Sequence, residues 1–139
     1  MSEMAIVCVD DELSILKSLE TELLGAFEDK YIYEFAERAD EALEIIDELE
    51  GEGTKIFIVV SDWLMPGIKG DEFLIRVHSK YPRIIKIMLT GQADRVSVER
   101  VKKEANLYHY LTKPWNHQEL VSTIENAKIH TNYISKSFC

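Results

Sequence analysis

The chain has 139 residues, 46% of them hydrophobic, and a formal net charge of −9 at neutral pH, with an isoelectric point near 4.9. This length accommodates one compact domain with a substantial core and is too short for two. The negative charge argues against direct binding to nucleic acid or anionic membranes, because association with either would begin with like-charge repulsion.

The cysteines and the apolar runs indicate a cellular setting. Cys8 lies inside an apolar run and Cys139 is the last residue, a spacing that suits neither a disulfide framework nor a metal site. No run approaches the roughly 18 apolar residues of a membrane span, and no basic region precedes the first apolar run. We therefore expect a soluble cytoplasmic protein with reduced cysteines.

Strand-like and helix-like segments alternate from the amino terminus. Residues 4–9 are continuously apolar, which predicts a buried strand, and the leucines of residues 13–27 recur at helical spacing. Residues 31–37 are short and aromatic-rich, which predicts a second strand, and apolar residues between 42 and 49 mark a second helix. The chain therefore begins with two strand-helix units.

The third strand gives the strongest signal. Residues 56–60 are an unbroken apolar, largely β-branched run, which is typical of a strand buried on both faces of a parallel sheet. The strand ends on Asp62, and a Pro66-Gly67 turn follows. This position places the carboxylate at the carboxyl edge of the sheet, where open α/β sheets carry their chemistry.

A third helix and two further strand-helix units complete the pattern. Helical and strand-like runs alternate at residues 73–77, 84–89, 98–105, 108–111 and 120–127. The alternation predicts an α/β fold with a five-stranded parallel sheet and helices on both faces. We predict the strand order 2-1-3-4-5 of a doubly wound, flavodoxin-like three-layer sandwich.

Polar residues stand at the ends of four of these strands. Asp10 and Asp11 close the first strand, Asp62 the third and Thr90 the fourth, and Lys113 follows the fifth. Each has a simple structural interpretation, as a helix cap, a turn residue or a solvated side chain. Together they predict a binding site, because clustered like charges cost stability unless something is bound there.

The chemistry of such a cluster follows from its residue types. Carboxylates held close together require a counter-charge, and ligation by oxygen alone suits Mg²⁺, with Mn²⁺ as an alternative. A phosphoryl group on Asp62, acting as nucleophile, would place oxygens near that ion, the Lys113 ammonium and the Thr90 hydroxyl. The four histidines are scattered and are interpreted as surface or packing residues: His78, His109, His117 and His130.

These motifs resemble the signature of the receiver domain of two-component response regulators, within the superfamily of chemotaxis response regulators. The resemblance extends over residues 4–129 and rests on Asp10-Asp11, Asp62 with Met65-Pro66-Gly67, Thr90-Gly91 and Lys113-Pro114-Trp115. It implies a receiver domain at residues 1–130. Residues 131–139 would be a carboxyl-terminal tail or the start of a linker to an output domain.

The resemblance implies a phosphorelay function. Asp62 would accept a phosphoryl group from a histidine kinase or a histidine phosphotransfer protein. Mg²⁺ would be held by Asp11, Asp62 and the backbone carbonyl of Leu64, with Asp10 helping through water. Lys113 would contact the phosphoryl group. The chain would transfer and hydrolyse only its own phosphoryl group, so it is not expected to be an enzyme with an external substrate.

The resemblance also implies a switch. Thr90 would move toward the phosphoryl group, and Tyr110 would turn inward when Thr90 engages it. The surface of the fourth helix, fifth strand and fifth helix would then change for an output domain or partner, and a homodimer through this surface is a further hypothesis. Strand alternation predicts Tyr108 and Tyr110 on one face and His109 on the other.

Two alternatives from other classes remain open. A pseudo-receiver would be an interaction domain that never takes phosphate. A phosphatase of the haloacid dehalogenase type would need a second aspartate two residues after its nucleophile, but Glu12 follows Asp10 and Leu64 follows Asp62 at that distance. In receivers the positions of Leu64 and Gln92 influence attack of water on the acyl phosphate, so the lifetime of the phosphorylated state stays open.

Overall fold

Five strands and five helices alternate along the chain. The structure is a computed structural model that describes residues 3–91 and 95–137, with side chains through residue 131. The strands are β1 Met4–Val9, β2 Ile32–Ala36, β3 Lys55–Asp62, β4 Ile85–Thr90 and β5 His109–Thr112. The helices are α1 Leu13–Phe27, α2 Ala39–Gly51, α3 Gly70–Lys80, α4 Arg95–Ala105 and α5 His117–Ser137, and a short 3-10 turn, Glu28–Lys30, follows α1.

All strand pairs are parallel, and the sheet order is β2-β1-β3-β4-β5. The predicted fold is therefore confirmed. In the register, Val9 pairs with Ser61, Asp62 with Leu89 and Thr90 with Thr112. The carboxyl ends of β1, β3, β4 and β5 thus lie side by side, which brings the polar residues that follow them to one edge.

Each face of the sheet packs against its own helices. Strand alternation divides the apolar runs, so that Val7 and Val59 face one core whereas Ile6 and Ile58 face the other. The first core contains buried residues of α2, α3 and α4, among them Ile46, Phe73, Leu74 and Val101. The second contains buried residues of α1 and α5, among them Leu16, Leu19, Leu23, Leu120 and Ile124.

The structure extends the last predicted helix. Helix α5 runs to Ser137, so the predicted division at residue 130 falls inside this helix.

Gln92, whose role in phosphoryl lifetime was an expectation, lies outside the described residues. Within residues 3–91 and 95–137, no helix has the length and apolar character needed to cross a bilayer.

Candidate functional site

Asp10 is fully buried at the end of β1 and uses its two oxygens differently. Oδ1 accepts a hydrogen bond from the backbone N–H of Glu12, 2.8 Å away, at the start of α1. Oδ2 lies 2.7 Å from Nζ of Lys113. The first oxygen therefore fixes a turn just before α1, whose N-cap is Glu12, while the other belongs to the charged cluster.

Asp62 is 5% exposed and stands at the end of β3. Its Oδ1 lies 3.1 Å from Nζ of Lys113. Burial and the nearby charge of Asp10 raise the pKa of Asp62 to about 6, against the opposing effect of Lys113. The carboxyl group of Asp62 therefore gains or loses its proton close to neutral pH. A further positive charge nearby would favour its ionised form.

Lys113 connects three of the strand ends. Its ammonium contacts Asp10 and Asp62, and its backbone N–H donates to the carbonyl oxygen of Thr90, 2.8 Å away. Burial lowers the pKa of Lys113, but its hydrogen bonds to the two carboxylates and their charge outweigh burial, so the pKa is raised overall. Lys113 therefore stays charged. Thr90 itself is 1% exposed.

The three aspartates suit a hard divalent cation. One oxygen each from Asp10, Asp11 and Asp62 lies within 4.8 Å of the others, and oxygen donors of this kind are those that Mg²⁺ prefers. A cavity of about 510 Å³ opens beside them, and its wall includes Asp11, Asp62, Leu64 and Lys113. The residues present therefore fit a bound Mg²⁺ ion with a phosphoryl group beside it.

Gly70 positions the loop that follows Asp62, a role that sequence reasoning missed. A β-carbon at position 70 would overlap the carbonyl oxygen of Asp62 and lie 2.8 Å from Cα of Trp63. The N–H of Gly70 donates to the carbonyl of Trp63, at 2.8 Å. The available signal was a glycine shortly after the Pro66-Gly67 turn, at the start of a helical pattern.

Glu22 ties the loop that carries Lys113 to α1, which sequence reasoning also missed. Its Oε1 accepts a hydrogen bond from Nε1 of Trp115 at 3.1 Å and lies 2.7 Å from Nδ1 of His117. These contacts span more than 90 positions of sequence, as the 93-residue separation of Glu22 and Trp115 shows. Sequence spacing therefore carried no signal for them.

The other three histidines contact neighbouring side chains. Nδ1 of His78 lies 2.7 Å from Nζ of Lys86, and Nε2 of His109 lies 3.3 Å from Glu119. The ring of His130 lies 6.1 Å from that of Tyr108.

Tyr110 lies on the predicted switch surface and is 38% exposed. Nζ of Lys102, in α4, lies 5.9 Å from the centre of its ring. Tyr108 was predicted to share this face, but its ring contacts His130 of α5 instead. Tyr108 precedes β5, so strand alternation does not fix the direction of its side chain.

Comparison with known proteins agrees with this geometry. Two similar solved structures are the signal receiver domain of an HD domain-containing protein from Pseudomonas fluorescens and a CheY-like response regulator receiver domain protein from Methanospirillum hungatei. The first has a TM-score of 0.82 and 30% identity, and covers 94% of this chain and 98% of that one. The second has a TM-score of 0.82 and 27% identity, and covers 95% and 98%.

Curated relatives include larger regulators. The hydrogenase transcriptional regulatory protein HoxA of Bradyrhizobium diazoefficiens is 29% identical over 122 residues, which cover 88% of this chain and 23% of that protein. The chain spans less than a quarter of the HoxA relatives' length. The family model described as the response regulator receiver domain matches residues 6–125. This match shows that the chain belongs to the receiver domain family of two-component response regulators.

Proposed function

We propose that Asp62 accepts a phosphoryl group from a phosphohistidine donor. The observation that carries the proposal is the position of Lys113, whose Nζ lies 3.1 Å from Asp62 and 2.7 Å from Asp10 beside an open cavity. A fixed ammonium at this point would attract a phosphoryl oxygen and neutralise charge that develops during transfer. Receiver domains as a family interact with histidine kinases and output domains.

The transfer needs few protein groups. A carboxylate oxygen of Asp62 attacks phosphorus as the bond from phosphorus to the donor imidazole nitrogen breaks, and the departing imidazole takes a proton from solvent. An acyl phosphate is left on Asp62. A Mg²⁺ ion held by Asp10, Asp11, Asp62 and the backbone carbonyl of Leu64 would supply further positive charge to the phosphoryl oxygens.

The same groups define the limits of the chemistry. The chain would catalyse transfer to Asp62 and hydrolysis from Asp62, with no external substrate to release. A cytoplasmic location follows from this proposal, because cytoplasmic kinases and phosphotransfer proteins would supply the phosphoryl group.

A partner would recognise the phosphorylated state at the surface of α4, β5 and α5. Thr90 ends β4 between the site and this surface, and its carbonyl accepts the N–H of Lys113. Engagement of the Thr90 hydroxyl by the phosphoryl group would draw Tyr110 from its half-exposed position toward the space beside β4. The partner would be an output domain, as the name of the HoxA relative suggests, or a second copy of the chain.

Intact mass spectrometry tests the proposal. The protein is incubated with Mg²⁺ and acetyl phosphate, beside Asp62→Ala and an EDTA control. We expect one acid-stable, base-labile phosphoryl group on the wild type and none in either control. Asp40→Ala serves as the matched variant, because Asp40 is exposed and pairs only locally with Arg38, and it should be phosphorylated normally.

Absence of the added mass from a folded protein that binds Mg²⁺ would favour the pseudo-receiver alternative. Phosphorylation that persists in Asp62→Ala would place the acceptor elsewhere. Light scattering with and without beryllofluoride tests the dimer, and a monomer under both conditions would exclude it.

A further inference from the structure

A second cavity lies at the opposite edge of the sheet from the phosphorylation site. Its volume is about 560 Å³, and its wall is formed by the starts of β1 and β3, the segment between α3 and β4, and α5. Lys55 in this wall and Asp62 at the first site are the two ends of β3. They are seven residue steps apart along the strand, or about 23 Å, so the two sites do not overlap.

The wall of this cavity is basic although the chain is acidic. Lys55, Lys80, Arg83 and Lys128 line it together with Glu50, which gives four positive charges against one negative charge. The chain as a whole has a net charge of −9. A local excess of positive charge on such a chain would attract anions to this edge.

Two of these cations are already engaged. Nζ of Lys80 lies 2.9 Å from Asp47, and Lys80 is in the last turn of α3, where a positive charge stabilises the helix end. Nζ of Lys128 lies 5.7 Å from the centre of the Phe57 ring and 3.3 Å from Sδ of Met4. Intramolecular contacts therefore account for both side chains.

No intramolecular contact of this kind accounts for Lys55 and Arg83. Both are exposed, and neither side chain has a hydrogen bond or an ion pair with any part of the chain that the structure describes. Lys55 begins a strand and Arg83 lies in a loop, so neither compensates the carboxyl end of a helix. Their ammonium and guanidinium groups are available to a bound anion.

Apart from Glu50 and Thr131, the rest of the wall is apolar and locally irregular. Between the pairs Ala5–Ile56 and Ile6–Ile58 the strand register shifts, which leaves Phe57 as an extra residue of β3. Such bulges re-aim side chains at sheet edges and beside binding sites. The single acid of the wall, Glu50, accepts a hydrogen bond from the N–H of Ile56 at 3.3 Å.

We propose that this cavity binds a small organic anion with at least two negative charges and a flat apolar part, of the class of nucleoside diphosphates. Lys55 and Arg83 hold the charged end, and Met4, Tyr81 and Pro82 contact the ring. The volume lies in the range of pockets for small organic ligands. The site is independent of Asp62, and the proposed phosphorylation does not depend on it.

Calorimetric titration with ADP in EDTA tests the proposal, because EDTA removes cation-mediated binding at the aspartate cluster. We expect saturable binding with a Kd of about 0.1 mM in the wild type. The double variant Lys55→Gln/Arg83→Gln should bind at least about tenfold more weakly. Lys30→Gln/Lys103→Gln removes two exposed cations elsewhere and should bind ADP as the wild type does.

Four results would overturn the proposal. No saturable binding of ADP up to about 5 mM would exclude the ligand class. Equal affinity of the wild type and the Lys55→Gln/Arg83→Gln variant, with unchanged circular dichroism, would place ADP elsewhere. Binding of adenosine or of pyrophosphate with the same affinity as ADP would show that one half of the ligand is not recognised. A glutamate peptide that binds where ADP does not would indicate a protein partner.

Discussion

Gly70 lies so close to the backbone carbonyl of Asp62 that β3 and α3 can meet there only because position 70 has no side chain. The contact is backbone against backbone, since the nearest atoms to an added β-carbon belong to Asp62 and Trp63. Backbone atoms cannot rotate away as a flexible side chain can. The geometry of the carboxylate therefore depends on a glycine eight positions after it.

We predict that Gly70→Ala destabilises the protein by about 2 kcal/mol or more and slows phosphorylation of Asp62, because the loop must shift to admit the methyl group. Gly25→Ala is the matched control. It lies within α1 with open space around its Cα, so the substitution should stabilise by about 0.5–1 kcal/mol. Urea denaturation measures both changes. Equal effects of the two substitutions would contradict the proposed close contact.

The sequence predicted the fold and the grouping of the acids because both depend on local pattern. A buried run followed by an acid identifies a strand end, and parallel strands place their carboxyl ends together. The sequence did not predict that the two carboxylate oxygens of Asp10 have different partners. One serves a contact two residues away, whereas the other meets Lys113 across the sheet, and only the packed structure shows that distance.

Other features gave no local signal. Glu22 is separated by 93 positions from Trp115, so no spacing rule connects them. Lys86 stands in an apolar strand run, where a charged residue suggests an exposed edge position, but it is 1% exposed. Its partner His78 lies eight positions earlier on α3, and this pairing depends on how the helix packs on the sheet.

Asp62 provides a prediction about pH. Its pKa is raised to about 6, so the folded state binds this proton more tightly than the unfolded chain does. Without metal, the contribution of Asp62 to stability should be greatest below about pH 4 and should fall as the pH rises toward 6. Asp62→Asn removes this loss and should be about 1–3 kcal/mol more stable than the wild type at pH 8 in EDTA.

Denaturation at pH 4.5 and pH 8 measures the difference, which should be only about a third as large at the lower pH. Mg²⁺ should stabilise the wild type at pH 8 and should stabilise Asp62→Asn much less, because the variant has lost one carboxylate of the cluster. A variant less stable than the wild type at pH 8 in EDTA would show that the contact with Lys113 outweighs the cost of burial.

Leu64 gives a prediction that rests on the proposed phosphorylation. Its side chain is 58% exposed in the wall of the cavity beside Asp62, and it has no group that can bind water. Leu64→Asn introduces an amide that can hold a water near the acyl phosphate, so the phosphoryl half-life should shorten several-fold. Leu64→Met keeps an apolar side chain and should leave the half-life unchanged. The loss of the added mass with time measures both half-lives. Identical half-lives of Leu64→Asn and the wild type would show that Leu64 does not control hydrolysis.

Lys86 is a buried charge near the start of β4. Its Nζ donates to Nδ1 of His78 at 2.7 Å and to the carbonyl oxygen of Pro82 at 3.3 Å. Burial lowers the pKa of Lys86 to about 8. The pKa of His78 is also lowered, mainly by burial and in addition by the charge of Lys86. A neutral His78 can accept the hydrogen bond, whereas a protonated His78 would repel the ammonium.

We predict that Lys86→Met stabilises the protein by about 1–3 kcal/mol at pH 7, because the folded state then no longer holds a desolvated ammonium. The advantage should shrink as the pH rises from 8 toward 10, since the wild-type lysine loses its charge in the folded state over that window. Lys103→Met, at an exposed position of α4, should change stability by less than about 0.5 kcal/mol. A destabilised Lys86→Met at pH 7 would show that the bonds to His78 and Pro82 outweigh the cost of the buried charge.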